Sequence, residues 1–320
     1  MDNCHGRVLV AQRPRGKSLA GAWEFPGGKL HFDEDRLTGL VREFDEELGI
    51  QVEVARPLIR FRHSYPDLEV DLDAWRIERW HGEPHGREGQ AIGWYAPEEL
   101  EDLGLLPADT AIVRAIRLPA MCAVTSPRAE QGEGAFLDQV EQLAAHSGAG
   151  LICLRRPDLD PADLLELAAG AACRIEGTAA RLLLHGDPAA LAPALVAPPK
   201  APAARFESAV AGLHIPGRYL DTLAERPVPP HMWFGVSCHD ARQLYAALAL
   251  GADYAFLGPV KPTASHPGVP GMGWEKFAAL VADLPLPVYG IGGLGPTDLD
   301  DAWAAGAQGI AAIRALNLTR

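Results

Sequence analysis

The apolar and polar positions of the first 117 residues predict a mixture of strands and helices. Residues 37–48 carry one apolar stripe at helical spacing, formed by Leu37, Val41, Phe44 and Leu48. The other apolar runs in this region predict strands over 7–11, 51–62, 68–80 and 91–95, and a short helix over 108–117.

The rhythm changes after the stretch RLPAM at 117–121, where short apolar runs begin to alternate with Ala/Leu-rich segments. We predict strands over 121–125, 150–155, 180–185, 211–214, 233–237, 253–258, 287–291 and 309–313. Eight strands interleaved with helices are typical of a (β/α)8 barrel. One segment breaks the rhythm: residues 192–204, APALVAPPKAPAA, have a Pro/Ala composition that predicts a loop insertion rather than a helix.

The chain length of 320 residues fits two domains and is too long for one small domain. Hydrophobic residues make up 48% of the chain, which is enough to build packed cores. With the boundary at RLPAM, we expect a first domain over residues 1–118 and a barrel over residues 121–320. The predicted fold class is therefore α/β, in two domains.

Charge and composition exclude several classes of partner. The formal net charge is −13, spread over both halves, so neither nucleic acid nor an anionic membrane is expected as a partner. A phosphorylated substrate stays compatible with this charge, because a divalent metal can reverse it locally. The five cysteines form no CxxC pair, and the chain shows neither a membrane-spanning apolar stretch nor a start typical of a signal peptide. We therefore expect a cytoplasmic protein with reduced thiols.

An acidic cluster lies on the predicted helix 37–48. Glu43, Glu46 and Glu47 fall within an arc of roughly 100° on a face separate from the apolar stripe. Carboxylates this close repel one another unless a cation neutralises them. Oxygen-rich sites of this kind suit Mg2+ or Mn2+, bound through a few carboxylates together with substrate phosphates. The alternative is a solvated acidic helix face.

The spacing around this cluster resembles the Nudix signature at Gly28, Glu34, Arg42, Glu43, Phe44, Glu46, Glu47, Gly49 and Ile50. The resemblance implies an enzyme that hydrolyses nucleoside diphosphates linked to another group, built as an α/β/α sandwich around a mixed sheet. It also implies that the three glutamates and Gly28 belong to the metal site. In the family, the arginine matching Arg42 orients these glutamates and the glutamate matching Glu34 supports the surrounding loops.

Three further stretches are similar to the MutT branch of this family, the 8-oxo-dGTP diphosphatases: WEFPGGK, ERWHGEPHGREGQ and LPADTAIV. The similarity spans nearly all of residues 7–117. It implies that Arg13 and Lys29 contact the phosphates and that Phe25 lines the nucleoside pocket. It further implies that Glu88 reaches the metal site from a loop. For Lys29 and Glu88, ordinary solvated side chains are the alternatives.

The sequence departs from this branch in two places. At Asp109 the branch has an asparagine, whose amide reads the oxidised guanine edge. An ionised aspartate can only accept hydrogen bonds, so Asp109 would have to be protonated or would read a different tautomer or base. In addition, the chain opens at what resembles the turn before the family's second strand, so we expect the first strand to be missing.

The second half resembles thiamin phosphate synthase and its relative thiazole tautomerase over about residues 121–316. The matching stretches are LICLRR, GLHIP, FGVSCHD, GADYAFLGPVKPT, YGIGGL and AAGAQGIAAIRAL. The resemblance implies a barrel phosphate site at Gly292, Gly293 and the backbone around Arg314. Glycines serving only a tight turn are the alternative.

Several residues that the synthase needs are replaced. Its two metal-holding aspartates, its two lysines and an asparagine correspond here to Gly186, Tyr219, Pro157, His266 and His185. Arg155 and Ser237 persist, and the key histidine of the tautomerase corresponds to Pro259. We therefore do not expect the usual synthase or tautomerase chemistry.

Four histidines fall at or just beyond the C-terminal ends of strands 3 to 6 of the barrel, where barrel active sites lie: His185, His214, His239 and His266. Because histidine can act as an acid, a base or a metal ligand, one hypothesis is a modified site for a phosphorylated thiazole- or pyrimidine-like heterocycle. Four unrelated loop histidines are the alternative.

Three functions are open at this point. The first is a Mg2+-dependent nucleoside triphosphate pyrophosphohydrolase that removes damaged nucleotides, with water attacking phosphorus to give a nucleoside monophosphate and pyrophosphate. The second is a bifunctional thiamin-pathway enzyme with a house-cleaning Nudix half. The third is a hydrolase regulated by a non-catalytic, ligand-binding barrel. The intact Nudix residues favour the first, with the third explaining the barrel.

Overall fold

The structure is a computed structural model. It describes residues 1, 3, 5–13, 19, 21–125, 132–146, 148–196, 203–263, 268 and 270–316, although not the side chains of residues 146 and 203. The chain divides into two compact units, Met1–Arg117 and Leu118–Arg320.

The strands of the first unit pair in two antiparallel groups. β1 (Val8–Gln12) lies between β2 (Trp23–Glu24) and β5 (Ile92–Tyr95). β3 (Gln51–Tyr65) and β4 (Leu68–His81) form a long hairpin whose register is interrupted by bulges near Val54 and Pro57. One parallel bridge joins Trp23 to Leu105. The hairpin strands extend a few residues beyond the predicted ends, because the pairing continues to the turn at residues 66 and 67.

Two helices cover opposite faces of β1. α1 (Arg36–Leu48) contributes Phe44 and Leu48 to a cluster with Leu9. α2 (Asp109–Arg117) contributes Val113 to a different cluster, which holds Val8 and Val10. Because side chains alternate along a strand, successive residues of β1 point to different helices. This arrangement is the α/β/α sandwich expected from the sequence. A short 3-10 turn, Leu100–Leu103, precedes α2.

The second unit is a closed parallel barrel with the strand order β10-β11-β12-β13-β6-β7-β8-β9. Its strands are β6 (Met121–Val124), β7 (Leu151–Arg155), β8 (Arg181–His185), β9 (Val210–Pro216), β10 (Trp233–Cys238), β11 (Tyr254–Leu257), β12 (Val288–Ile291) and β13 (Gly309–Ala312). β13 pairs with β6, which closes the barrel. The two-domain α/β fold class is thus confirmed.

The helices of the barrel unit pack outside the strands and bury their apolar faces there. They are α3 (Glu133–His146), α4 (Pro161–Arg174), α5 (Pro188–Val196), α6 (Ala203–Ala209), α7 (Ala241–Ala249), α8 (Gly273–Val281) and α9 (Leu299–Ala304). Inside the barrel, a separate cluster includes Cys153, Tyr254, Phe256 and Tyr289. Short 3-10 turns lie at Gly217–Thr222 and Pro296–Asp298.

The prediction of a loop over residues 192–204 is wrong at both of its ends. α5 continues to Val196 with Pro193 inside it, and α6 begins at Ala203. A proline inside a helix removes one backbone hydrogen bond and costs about 3 kcal/mol. Leu191 and Leu195 are 1% and 4% exposed, so burial of these two side chains offsets that cost. The middle of the segment, residues 197–202, lies outside the described residues.

Among the helices in the described ranges, none is long and apolar enough to cross a membrane.

The cysteines in the described ranges are free thiols: Cys122, Cys153, Cys173 and Cys238. Burial raises the pKa of the Cys153 thiol to about 12, so this cysteine stays protonated at neutral pH.

Candidate active site

The acidic helix α1 has well-defined ends that fix the direction of its side chains. Asp35 is the N-cap, and its carboxylate accepts hydrogen bonds from the backbone amides of Leu37 and Thr38 at 3.0 and 3.1 Å. At the other end, Gly49 adopts a left-handed conformation with φ of 70°, which glycine tolerates without strain. Leu37 is 42% exposed, so the predicted apolar stripe is wrong in its first turn, and Leu40 completes the buried face with Phe44 and Leu48.

Arg42 connects the acidic residues of the signature. Its guanidinium donates two hydrogen bonds of 2.8 Å to Glu34 and one of 2.8 Å to Glu43. The Nη1 atom of Arg42 also donates to Oε2 of Glu46 at 3.4 Å. The Arg42 hydrogen bonds, helped by the backbone amide of His31, lower the pKa of Glu34 to about 2. The hydrogen bonds with Glu34 and then Glu43 raise the pKa of Arg42, so Arg42 and Glu34 both stay ionised at neutral pH.

The glycine loop before the helix approaches two of the signature glutamates. A Cβ atom on Gly28 would lie 2.0 Å from Oε2 of Glu43, so any side chain at this position would force the Glu43 carboxylate to move. The backbone amide of Gly27 donates to Oε2 of Glu47 at 3.3 Å. The Glu46 side chain is 62% exposed. The loop therefore brings backbone next to two carboxylates while the third faces solvent.

The donor set at this site fits a hard divalent cation. Carboxylate oxygens on one helix, with loop backbone close by, are the ligands that Mg2+ and Mn2+ prefer. In the described ranges no three His, Cys, Asp or Glu side chains come close enough together to hold a metal as they stand. Glu43 instead accepts from the Arg42 guanidinium, and Glu47 accepts from the Gly27 amide.

The loop that carries Glu88 is fastened to the C-terminal end of α1. The amide of Arg87 donates to the Glu47 carbonyl at 2.9 Å, and its guanidinium donates to the Asp45 carbonyl at 2.7 Å. Gln90 donates to the Glu47 carbonyl at 3.2 Å and accepts from the Glu88 amide at 2.8 Å. Neither Arg87 nor Gln90 was assigned a role from the sequence. Their position beside Glu88 in the matched stretch WHGEPHGREGQ was the available signal.

The residues predicted to contact substrate are placed around the loop before α1. Arg13 forms an ion pair with Glu24, a residue that the sequence pattern did not single out. Phe25 is half-buried and packs against two apolar clusters, one with Ile112 and one with Val113. Lys29 is exposed, and its carbonyl accepts from Arg42 at 3.0 Å. The sequence signal for Glu24 was its place inside WEFPGG.

Asp109 is the unusual member of this group. It begins α2 and is only 6% exposed, and its Oδ2 atom has no hydrogen-bond partner in the described part of the chain. Burial, with a smaller contribution from the charge of Glu24, raises the pKa of Asp109 to about 7. A backbone hydrogen bond from Leu106 and the charge of Arg13 lower the pKa and oppose this shift only in part.

In the barrel unit, the C-terminal ends of β7 to β10 form what we call the barrel mouth. Arg155, His185 and His214 are register partners on three neighbouring strands. The two imidazoles stack with their centroids 5.5 Å apart. Burial lowers the pKa of both histidines, to about 4 for His185, where the charges of Arg155 and Arg218 add to the effect. Both rings are therefore neutral at neutral pH.

His214 is fully buried and bonded at both ring nitrogens. Nε2 lies 2.8 Å from the Ser237 hydroxyl, and Nδ1 lies 3.2 Å from the Tyr254 hydroxyl. A Cβ atom on Gly235 would lie 2.3 Å from that tyrosine oxygen, so glycine leaves the space through which Tyr254 reaches the ring. Because a neutral imidazole has one donor and one acceptor, the tautomer of His214 decides whether Ser237 donates or accepts. Tyr254 was missed because its register position is not visible in the sequence.

The remaining barrel candidates lie apart from this network. The Nδ1 atom of His239 lies 2.7 Å from the Gly258 carbonyl, and the residue lines a cavity of about 360 Å3 together with Lys276. His266 lies outside the described residues. Arg314 is exposed after β13.

The glycine pair after β12 packs against a neighbouring loop. Gly292 and Gly293 have φ of 99° and 68°, and a Cβ atom on either would lie 2.7–2.8 Å from the loop at residues 259–262. Lys261 in that loop donates from its amide to the Gly292 carbonyl at 3.0 Å and from its ammonium to Asp298 at 2.5 Å. These contacts account for glycine at both positions, while the predicted phosphate role stays a prediction.

Comparison with known proteins bears on both units. Residues 121–316 match the family described as thiamine monophosphate synthase, and residues 1–115 match the family described as NUDIX domain. CTP pyrophosphohydrolase of Escherichia coli (strain K12) is 39% identical over 110 residues, which are 34% of this chain and 82% of that protein. The 8-oxo-dGTP diphosphatase of the same organism is 30% identical over 115 residues, 36% of this chain and 89% of that protein.

For the barrel, a putative thiamine-phosphate synthase of Geobacter sulfurreducens is 32% identical over 193 residues, which are 58% of this chain and 82% of that protein. The chain therefore belongs to the thiamine monophosphate synthase family through its barrel and to the Nudix hydrolases, a class of pyrophosphohydrolase, through its first 115 residues. The recognition of both domains from sequence is confirmed.

Proposed function

We propose that the Nudix domain is a Mg2+-dependent nucleoside triphosphate pyrophosphohydrolase. The observation that carries this proposal is the group around Arg42, which holds Glu34, Glu43 and Glu46 together beside the loop at Gly28. A cluster of acids on one helical turn is unfavourable by itself, because like charges repel. One arginine cannot neutralise all of them, so the remaining negative charge favours a divalent cation and an anionic substrate.

In this proposal Glu43, Glu46 and Glu47 hold the cation, with Gly28 and Glu88 beside them. When bound, the cation would polarise the phosphoryl oxygens and lower the pKa of the attacking water. Arg42 keeps the carboxylates in place, since Glu34 and the Lys29 carbonyl fix its guanidinium from the other side. Lys29 is exposed and supplies positive charge for the triphosphate.

Two relatives support nucleotides as the substrate class. One is a CTP pyrophosphohydrolase and the other an 8-oxo-dGTP diphosphatase, and each is at least 30% identical to this domain. The products would be a nucleoside monophosphate and pyrophosphate. Removal of damaged nucleotides from the precursor pool is the role that such an activity would serve.

The test is a pyrophosphate-release screen of the full chain with Mg2+. It compares 8-oxo-dGTP, CTP, the common dNTPs and thiamin diphosphate, using the wild type and Glu46→Gln. We expect release from nucleotides by the wild type and a loss of roughly 100-fold or more in the variant, which removes one transition-state charge contact. Glu98→Gln is the control, because Glu98 is an exposed glutamate in the turn before the 3-10 helix Leu100–Leu103. Equal release by wild type and Glu46→Gln would contradict the metal assignment, and preferential turnover of thiamin diphosphate would contradict the nucleotide assignment.

For the barrel we propose a ligand-binding role for a phosphorylated heterocycle at the barrel mouth. Arg155 carries this proposal, because its guanidinium has no partner in the described ranges and its strand neighbours His185 and His214 are uncharged. The residues at Gly186 and Tyr219, where the synthase has metal-holding aspartates, supply no carboxylate. Binding without synthase chemistry is the function that this set supports.

Isothermal titration with inorganic pyrophosphate and with a thiazole phosphate tests this role. We expect binding by the wild type and a loss of at least tenfold in affinity for Arg155→Gln, because one charge-assisted contact is removed. Arg156→Gln is the control, since the Arg156 guanidinium is already paired with Asp158 at 2.6 Å. No binding by the wild type, or equal binding by both variants, would contradict the role.

A further inference from the structure

The last turn of α1 is completed by the loop that carries Glu88. The last four carbonyls of an α-helix find no partner within the helix, so other groups must supply their hydrogen bonds. Here the Leu48 carbonyl accepts from the His85 amide at 3.1 Å, and the Glu47 carbonyl accepts from the Arg87 amide at 2.9 Å. The backbone of the loop is thus attached directly to the backbone of the acidic helix.

Gln90 lies in this loop and contacts two residues that are predicted to hold the cation. Its Nε2 atom donates to the Glu47 carbonyl at 3.2 Å, and its Oε1 atom accepts from the Glu88 amide at 2.8 Å. Because a carbonyl only accepts and a backbone amide only donates, these two contacts fix which end of the side-chain amide is the nitrogen. One planar group therefore sets the separation between the Glu47 backbone and the Glu88 backbone.

The turn before Gln90 is folded tightly enough to keep this arrangement. The Gly89 amide donates to the Gly86 carbonyl at 3.1 Å, and Gly89 has a φ of 77°, which glycine adopts without strain. A Cβ atom on Gly86 would lie 2.0 Å from the Gln90 carbonyl oxygen and 2.9 Å from its Oε1 atom. Glu88 therefore lies inside a tight turn that closes against Gln90.

The carboxylates of Glu47 and Glu88 belong to different elements, one to α1 and the other to the loop. Mg2+ accepts its oxygen ligands only in a nearly ideal octahedral arrangement. A loop carboxylate can join such a site only if the loop is held in a constant position relative to the helix. Groups that hold ligands in place commonly change metal affinity by roughly 10- to 100-fold, although they do not touch the metal.

We propose that Gln90 is a positioning residue of the metal site, and that its side-chain amide fixes Glu88 relative to Glu47 so that helix and loop bind a divalent cation together. The inference rests on the proposed nucleotide hydrolysis and deepens it, because it gives a role to a residue outside the Nudix signature. Gln90 contacts backbone atoms of the two glutamates, so it acts through them and not on the cation itself.

The experiment measures Mn2+ binding to the full chain without nucleotide, from the electron paramagnetic resonance signal of the free ion. Gln90→Met keeps the length of the side chain but lacks the amide that makes both hydrogen bonds. We expect Mn2+ to bind roughly 10- to 100-fold more weakly to Gln90→Met than to the wild type. Gln51→Met is the control, because Gln51 is an exposed glutamine at the start of β3, and it should bind as the wild type does.

A second background distinguishes positioning from a general loosening of the domain. Glu88→Gln lacks the carboxylate that Gln90 positions, so adding Gln90→Met to it should weaken Mn2+ binding by less than about twofold further. A residue that only stabilised the fold would cost the same in both backgrounds. Amide hydrogen exchange without metal gives an independent readout, because Gln90→Met removes the acceptor of the Glu88 amide and should speed exchange there.

The outcomes separate this inference from the proposed function. Equal Mn2+ binding by the wild type and Gln90→Met would overturn the inference and leave the metal-dependent hydrolase intact. An equal loss on adding Gln90→Met to the wild type and to Glu88→Gln would also overturn the inference alone. A wild type that binds no Mn2+, or a Glu46→Gln variant that binds it as tightly as the wild type, would overturn the proposed metal site, and this inference with it.

Discussion

The two candidate sites of this chain are built on opposite electrostatic principles. In the Nudix domain, Arg42 gathers carboxyl groups near the surface, and Glu46 is left 62% exposed. At the barrel mouth, His185 and His214 are kept neutral by burial, beside an Arg155 guanidinium that has no ion-pair partner among the described residues. On our proposal the first site, with surplus negative charge, takes a cation, whereas the second, with the positive charges of Arg155 and Arg218, takes an anion.

The charge of each site therefore restricts the charge of the ligand that it can bind, whichever substrate is involved. Surplus charge near water is tolerable because solvent and counterions screen it. Charge in the closed interior of a barrel is not screened, so the imidazoles titrate to their neutral forms instead. Four predictions test this contrast, beginning with the largest expected effect.

Removing the arginine at the centre of the carboxylate group should have the largest effect. Arg42→Ala frees Glu34, Glu43 and Glu46 from their common partner, so we expect kcat for nucleotide hydrolysis to fall by about 100-fold or more. Arg36→Ala is the control, because Arg36 lies on the same helix and pairs with Asp73 instead. The measurement is steady-state pyrophosphate release. Similar losses in the two variants would contradict a special role for Arg42.

Adding a methyl group at Gly28 should have the next largest effect. The new Cβ atom would lie 2.0 Å from Glu43 Oε2, so the carboxylate must move away from the loop. We expect Gly28→Ala to raise the Mg2+ concentration needed for half-maximal rate and to lower kcat by roughly 10- to 100-fold. Gly134→Ala in α3, where the added methyl meets open space, should change neither quantity. An unaltered Mg2+ dependence in Gly28→Ala would count against the metal site.

As the pH falls, the barrel should lose folding stability at a higher pH than the Nudix domain does. The pKa of His185 is about 4 in the folded chain against an ordinary value of 6.5, so the unfolded chain takes up the proton first. The contribution of the neutral His185 ring to the free energy of unfolding is therefore complete above about pH 6.5 and is lost between about pH 6.5 and 4, by about 3 kcal/mol. The pKa of Glu34 is lowered from 4.5 to about 2, so its contribution is lost only between those values.

Amide hydrogen exchange, corrected for its intrinsic pH dependence, measures which of the two domains loses protection first as the pH falls. Peptides from β8 and β9 should lose protection at higher pH than peptides from α1. His185→Asn removes one titrating group from the barrel, so the loss of protection there should become smaller. Earlier loss of protection in α1 would reverse the prediction.

Removing one hydroxyl inside the barrel should have the smallest effect. Tyr254→Phe leaves Nδ1 of the fully buried His214 without its partner, which costs about 1–3 kcal/mol. Tyr245→Phe is the control, because Tyr245 is 59% exposed. Denaturant unfolding followed by exchange in β9 to β11 measures the change, and nucleotide hydrolysis should be unaffected. An equal change in both variants would show that the network adds nothing to stability.

Much of the fold could be predicted because it depends on local periodicity. The barrel strands were found at nearly their observed ends, since short apolar runs bounded by polar turns identify buried parallel strands. The segment at Pro193 was predicted wrongly for the opposite reason. A local helix-breaking signal was outweighed by burial of Leu191 and Leu195, and that burial depends on neighbours far away in sequence.

In the candidate sites, too, some features follow from local sequence and others only from tertiary packing. The spacing of Glu43, Glu46 and Glu47 on one helix was determined by the sequence alone, because helical geometry fixes which positions share a face. The burial of Asp109 and the bonds from His214 to Ser237 and Tyr254 were decided only by the tertiary structure. Desolvation depends on every atom packed around a group, and no spacing within one segment records it.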